Sequence, residues 1–162
     1  MILRPARATD AAGIARIANG IIADTLVTFT TRLREPDEIA REIAARLPAY
    51  VIAEADGEVA GYASYGPFRS GPGYGATCEW TIHLADPFQE RGLGRQLGQN
   101  LMEIARSQGV HVIVGGISSA NSAGIAFHAA LGFSEVGRLP EVGRKNGEWL
   151  DLILMQKILP PR

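Results

Sequence analysis

The stretch Gln89-Glu90-Arg91-Gly92-Leu93-Gly94 has the composition of an anion-binding turn, and Glu79 stands upstream of it as a carboxylate on a predicted strand. The turn lies between a strand and an amphipathic helix. Free N–H groups at a helix N-terminus, aided by the helix dipole, favour an anion such as a pyrophosphate. Glycine at 92 and 94 removes side chains that would block close approach of the backbone. Arg91 and Arg95 could add charge-assisted contacts to phosphate. Two glycines are equally consistent with a tight helix-capping turn. A nucleotide P-loop needs Gly-x-x-x-x-Gly-Lys-Ser/Thr, which is absent. A dinucleotide fingerprint needs a third glycine where Leu97 stands and an acid near the end of the next strand, where the chain reads Gly115-Gly116-Ile117-Ser118. Both nucleotide readings fail on spacing.

Glu79 shares one strand face with Thr81 and His83 by two-residue alternation. Partial burial raises a carboxyl pKa and makes it a better general base near neutrality. A solvated or salt-bridged strand glutamate is the competing reading. Cys78, the only cysteine, alternates to the opposite face and reads as a core residue. His83, His111 and His128 show no metal-ligand spacing, so no metal is expected.

Several elements must position these groups. Ile2-Leu3-Arg4 reads as a short strand, and Thr9 or Asp10 caps a helix with Ile14, Ile17, Ala18, Ile21 and Ile22 at helical spacing. Pro36 opens a second helix. Strands over 50–55 and 58–65 flank Asp56-Gly57, a hairpin signal. A Gly/Pro-rich loop, 67–75, precedes a strand over 77–84. A helix from Leu93 stops at Gly109, and a β-branched strand follows over 111–117. A short helix over 122–131 leads to two last strands, 133–142 and 148–157, joined at Asn146-Gly147. The order βααβββαβαββ, with a parallel right-handed crossover from 77 to 117, predicts an α/β (α+β) fold. It has a mixed sheet of about seven strands with four helices on its two faces.

Of 162 residues, 46% are hydrophobic and 20% charged, which excludes intrinsic disorder. Nothing divides the sequence, so residues 1–162 read as a single domain. Sixteen basic and 17 acidic residues, without a basic cluster, argue against nucleic acid as a partner. No apolar run approaches ~18 residues and no signal stretch opens the chain, which predicts no membrane span and a cytoplasmic location.

Gln-x-x-Gly-x-Gly between strand and helix resembles the coenzyme A pyrophosphate loop of the GNAT acetyltransferase superfamily. The element order is also similar. Within it, the sequence resembles the phosphinothricin/methionine sulfoximine N-acetyltransferase group. Gly61-Tyr62-Ala63-Ser64-Tyr65-Gly66-Pro67-Phe68-Arg69, Pro72-Gly73-Tyr74, Thr77 and Glu79 carry the likeness. So do Asn121, Leu131-Gly132-Phe133, Val142-Gly143-Arg144-Lys145 and Trp149-Leu150-Asp151-Leu152.

The resemblance implies an acetyl-CoA-dependent N-acetyltransferase acting on a small amino-acid-like acceptor by direct attack in a ternary complex. Another amine, such as a polyamine or peptide N-terminus, and a non-catalytic acyl-CoA binder are the alternatives. It implies that pantetheine runs along Ile82, His83 and Leu84, with the Leu84 N–H toward the thioester carbonyl. The pyrophosphate would sit on Gln89, Glu90, Arg91, Gly92, Leu93 and Gly94, with Arg95 beside it. The strands 77–84 and 111–117 would splay to admit the arm. Asn121 would bond the arm or cap its helix. Glu79 would serve as base, directly or through water. His128 falls where the superfamily often has an acidic Tyr; it would act as acid, or pack beside Phe127 and Phe133. Phe29, Arg69 and Tyr74 would line the acceptor pocket. The resemblance further implies a homodimer through the C-terminal strands. Around the acceptor the chain departs from the group: Gly75 replaces an Arg, Trp80 a His, and Asn146-Gly147-Glu148 a Phe-Gly-Arg pattern.

Overall fold

The computed structural model describes residues 1–89 and 91–161. Seven strands form one mixed sheet: β1 (Ile2–Pro5), β2 (Tyr50–Ala55), β3 (Glu58–Pro67), β4 (Thr77–Leu84), β5 (Val112–Ser118), β6 (Ser134–Lys145) and β7 (Glu148–Ile158). Four α-helices cover it: α1 (Ala11–Asp24), α2 (Pro36–Arg46), α3 (Leu93–Ser107) and α4 (Ser122–Ala130). The strand order is β1-β2-β3-β4-β5-β7-β6, and only β4 and β5 run parallel. The expected mixed sheet and its crossover are both present.

Each face of the sheet buries its own core. Ile14, Ile17 and Ala18 of α1 and Ile39 and Ile43 of α2 pack on Tyr50, Ile52 and Tyr62. On the opposite face, Leu93, Leu97, Leu101 and Ala105 of α3 pack on Val51, Ala63, Cys78, Trp80 and Ile113. Cys78 is therefore core, and burial pushes its thiol up to about 12. The hairpin turns have the left-handed backbone that Asp-Gly and Asn-Gly favour, with φ of 53° and 80° at Asp56-Gly57 and 52° and 79° at Asn146-Gly147.

Several boundaries differ from the sequence reading. β3 continues to Pro67 and β6 to Lys145, so the Gly/Pro loop is shorter and the last hairpin longer. Asp10 precedes α1 but does not cap it through its side chain. Its carboxylate instead accepts from the Arg7 N–H at 2.7 Å and from two Arg4 nitrogens at 2.9 Å each. A guanidinium, charged and two-pronged, holds the carboxylate more strongly than an uncharged helix N–H would. Among the described residues, no helix is long and apolar enough to cross a membrane.

Candidate active site

β4 and β5 pair at only three positions, Thr77 with Val112, Cys78 with Ile113 and Glu79 with Val114. Beyond Glu79, β4 stays paired to β3 through Leu84, and β5 stays paired to β7 through Ser118. The sheet therefore forks between them. Residues of an antiparallel ladder alternate between peptide groups aimed at the partner strand and groups aimed away. Ala85 donates its N–H to the Ala60 carbonyl at 2.9 Å, so in the same register His83 and Thr81 face β3. The peptide groups of Ile82 and Leu84 face the fork. Of the three residues implied for the pantetheine arm, these two offer backbone partners there, while His83 turns its peptide group to Tyr62.

A cavity of about 230 Å³ occupies the fork and reaches both faces of the sheet. Val27, Thr28 and Phe29 wall it on one face, Asn121 and His128 on the other, with Trp80–His83 and Gly115–Ser118 between. Gly115 and Gly116 keep the β5 side open. A Cβ at Gly116 would stand 3.1 Å from the Glu79 Oε1, so the carboxylate lies across that glycine at the point where the strands part. Glu79 remains exposed, yet partial desolvation holds its carboxyl above the ordinary carboxylate range.

α3 begins on Gly92, whose φ of 75° is left-handed and whose Cβ position is open space. The first-turn N–H groups of Leu93, Gly94 and Arg95 precede the first helical bond, from Gln96 to the Gly92 carbonyl. A Cβ at Gly94 would stand 3.2 Å from Phe127 and 3.4 Å from Leu84, so this glycine brings α3 against β4 and α4. Leu93 is a core residue, 1% exposed. Gln89, Arg91 and Arg95 are exposed at the turn. The Gln89 amide donates to Asp86 at 3.2 Å, and the Arg91 guanidinium lies 5.8 Å from the Phe88 ring. Glu90 lies outside the described residues. An open left-handed turn followed by free helix N–H groups, beside a fork with unpaired strand peptides, suits a long ligand with a diphosphate and an amide-bearing arm.

His128 sits on α4 with both ring nitrogens engaged. Trp80 Nε1–H donates to Nε2 at 3.0 Å, and Nδ1 lies 2.7 Å from the Gly124 carbonyl oxygen. A carbonyl only accepts, so the ring proton resides on Nδ1. Burial lowers the His128 pKa, partly opposed by the Gly124 bond, and the ring is neutral. Phe127 and Phe133 meet it edge-to-face at 5.5 and 5.1 Å. Asn121 borders the cavity and also caps α4, its Oδ1 accepting from the Gly124 N–H at 2.9 Å.

The acceptor-side residues divide. Phe29 reaches the fork, but Arg69 and Tyr74 line a different cavity of about 580 Å³, beside Arg46, Gly75 and Cys78. The loop that bears them packs on itself, Phe68 meeting Tyr74 at 6.0 Å and Arg69 at 5.9 Å. Two neighbours of the cavity, Lys145 and Tyr62, carry the family likeness in the sequence but no site role there. Lys145, 3% exposed, donates to the Thr28 carbonyl at 2.9 Å and so ties the 27–29 wall to the last hairpin. Tyr62 bonds His83 Nδ1 at 2.8 Å. Both are contacts between distant segments, and only the Tyr62/His83 register across β3 and β4 could have signalled one of them.

A family model described as an acetyltransferase (GNAT) domain matches residues 3–154. An L-methionine sulfoximine/L-methionine sulfone acetyltransferase of Pseudomonas aeruginosa is 41% identical over 98% of this chain and 95% of its own. The L-amino acid N-acyltransferase MnaT of Escherichia coli is 39% identical over 100% of this chain and 96% of its own. Among solved structures, a GNAT superfamily phosphinothricin acetyltransferase from Sinorhizobium meliloti in complex with AcCoA superposes with a TM-score of 0.92. It is 30% identical and covers 98% of this chain and 88% of that one. The forked sheet, the glycine turn and the length of these matches lead to one assignment: the chain belongs to the GNAT acetyltransferases.

Proposed function

We propose that this N-acetyltransferase moves an acetyl group from acetyl-CoA to the amine of a small amino-acid-like acceptor of the methionine sulfoximine or phosphinothricin type. The observation that carries the reading is the fork, a passage between β4 and β5 with Glu79 at its vertex and, past its open end, a glycine turn whose Gly94 packs by Leu84. The relatives' names supply the acceptor class. Acetyl-CoA supplies the thioester. The residues for its diphosphate are Gln89, Arg91, Gly92, Leu93, Gly94 and Arg95, with Glu90 in the same motif; Ile82, Leu84 and Asn121 face the arm. The Leu84 N–H donates to the carbonyl that gains negative charge.

Glu79 takes the proton from the acceptor ammonium. Glu79 and Leu84 are five residues apart on an extended strand, about 16 Å, so the proton passes through water along the Thr81 face. His128, with both nitrogens bonded, fits the packing role better than that of proton donor. Phe29 walls the acceptor side; Arg69 and Tyr74, in their separate cavity, are left out of the acceptor set. We also propose a homodimer through the last hairpin, where Val136, Val142, Trp149 and Ile158 are each more than half exposed.

The test is an acceptor screen that follows thiol release from acetyl-CoA across amino acids, their sulfoximine, sulfone and phosphinyl analogues, polyamines and short peptides. Turnover on the amino-acid analogues is expected. Turnover confined to polyamines or peptides would overturn the acceptor assignment, and thiol release with none of them would overturn the enzyme reading.

A further inference from the structure

His83 carries a side chain that the roles above leave unused. It shares the Glu79/Thr81 face of β4, borders the fork cavity, and is held from behind by the Tyr62 hydroxyl at 2.8 Å. The two rings meet edge-to-face at 5.5 Å. Tyr62 is 3% exposed, and among the described residues its hydroxyl has no other hydrogen-bond partner. A buried O–H is costly unless it donates, so the phenol gives its proton to Nδ1 and the imidazole proton resides on Nε2. Burial keeps both partners neutral, lowering His83 to about 4 and raising Tyr62 above its usual range.

Three ring N–H groups belong to side chains that line the cavity. Trp80 Nε1–H is spent on His128, and His128 Nδ1–H on Gly124. The Nε2–H of His83 is the third, and it is uncommitted. No Asp, Glu, Lys or Arg lines this cavity among the described residues. The acceptor face of β4 thus presents, past the carboxylate of Glu79, the Thr81 hydroxyl and then the His83 N–H, both uncharged.

We propose that His83, fixed as the Nε2–H tautomer by Tyr62, donates a hydrogen bond to a side-chain oxygen of the acceptor and selects neutral S=O groups over anionic phosphinate. This rests on the acceptor class proposed above. A neutral donor satisfies a sulfone or sulfoximine oxygen. A phosphinate brought to the same place loses water without gaining a cation.

The experiment compares kcat/KM for L-methionine sulfone, L-methionine sulfoximine, L-phosphinothricin and L-methionine in wild type, His83→Phe, His83→Gln and Tyr62→Phe. Wild type is expected to favour the sulfone and sulfoximine over phosphinothricin. In His83→Phe the ratio of sulfone to methionine should fall about tenfold or more, as for loss of one hydrogen bond. His83→Gln, which keeps a donor, should restore most of that ratio, and Tyr62→Phe should lower it less. Ring 15N–1H correlation of wild type should show the Nε2–H tautomer at His83. An Nδ1–H tautomer, or a ratio unmoved in His83→Phe while wild type is active, overturns this proposal alone. A wild type inactive on all four acceptors overturns the acceptor class and this proposal with it.

Discussion

Trp80 donates its indole N–H to His128 Nε2 at 3.0 Å, which leaves the imidazole without a free nitrogen. A donor on the Nε2 lone pair penalises the imidazolium, in addition to burial. NMR titration should show His128 as the Nδ1–H tautomer, with its midpoint below the usual histidine value. In Trp80→Phe the midpoint should rise, and the kcat profile of the wild type should carry no limb that moves with it. A wild-type His128 that titrates near 6.5, its usual value, would contradict the bond.

Gly115 is held small by that same ring. A Cβ there would stand 2.7 Å from His128 Nε2 and 2.9 Å from Cδ2. Gly115→Ala should therefore destabilise the fold by about 1–3 kcal/mol through overpacking and displace the ring from Trp80. Urea denaturation measures the first effect and the His128 midpoint the second. Gly137→Ala, whose Cβ would meet Leu154 only at 3.8 Å, is the tolerated comparison.

Glu79→Gln should lower kcat/KM near neutrality by about 100-fold or more, the usual contribution of a general base. Partial burial raises the Glu79 carboxyl. The wild-type acid limb should consequently lie above the ordinary carboxylate range, because below its pKa the group is protonated and cannot accept. Variant and wild type should converge at alkaline pH, where the acceptor amine deprotonates unaided. Equal rates across the whole range would remove Glu79 as base.

Gly92→Glu places a bulky anion at a left-handed position with open space beside the α3 N-terminus. Calorimetry should find coenzyme A affinity reduced at least 100-fold, while the acceptor-side cavity is untouched. Part of the change is strain, about 1–2 kcal/mol for a non-glycine residue at such φ. Gly92→Ala isolates that part. Affinity for coenzyme A unchanged in Gly92→Glu would refute the loop assignment.

Burial alone would raise the Asp10 carboxyl, but the Arg4 guanidinium and the Arg7 N–H more than offset it and hold it below the ordinary range. A depressed native pKa adds stability above the unfolded value, about 3.9, and that stability is lost as pH falls through the native value. Asp10→Asn should cost about 2 kcal/mol at pH 7, within the range for hydrogen bonds to charged groups. By about pH 2 its difference from wild type should shrink toward zero. A constant difference between the two pH values would show that packing, not charge, is responsible.

The dimer has a direct test. Trp149, 59% exposed with the Arg144 guanidinium 4.1 Å from its ring centre, belongs to the apolar edge hairpin. Sedimentation should find the wild type dimeric at micromolar concentration and Trp149→Glu weakened at least tenfold. A monomeric wild type would end the proposal.

Most of the fold was legible because it is written locally. Helical spacing from Ile14 to Ile22, Pro36 at a helix start, and Asp56-Gly57 and Asn146-Gly147 at hairpin turns each report their own backbone. The candidate site was legible where resemblance named positions, and less so where tertiary contacts decide. Alternation places Glu79, Thr81 and His83 on one face, but it says nothing of where a ladder ends. The resemblance implies that the two strands splay, but that they part just beyond Glu79 needed the structure. Asp10 was legible as a residue that caps helices, while the competing partner, Arg4, lies on β1. Arg69 and Tyr74 follow Glu79's neighbour strand closely in sequence, yet their loop folds over a separate cavity.

Three residue pairs join β4 to β5, so β1-β2-β3-β4 and β5-β7-β6 are two half-sheets hinged at one end. The amides of Ile82 and Leu84 should exchange with deuterium as readily as those of an edge strand, although they lie mid-sheet. Any ligand that pairs with them supplies rungs the protein lacks. Saturation at 100 times Kd would then raise the unfolding free energy by about 2.7 kcal/mol. The same hydrogen bonds would hold the ligand and close the sheet.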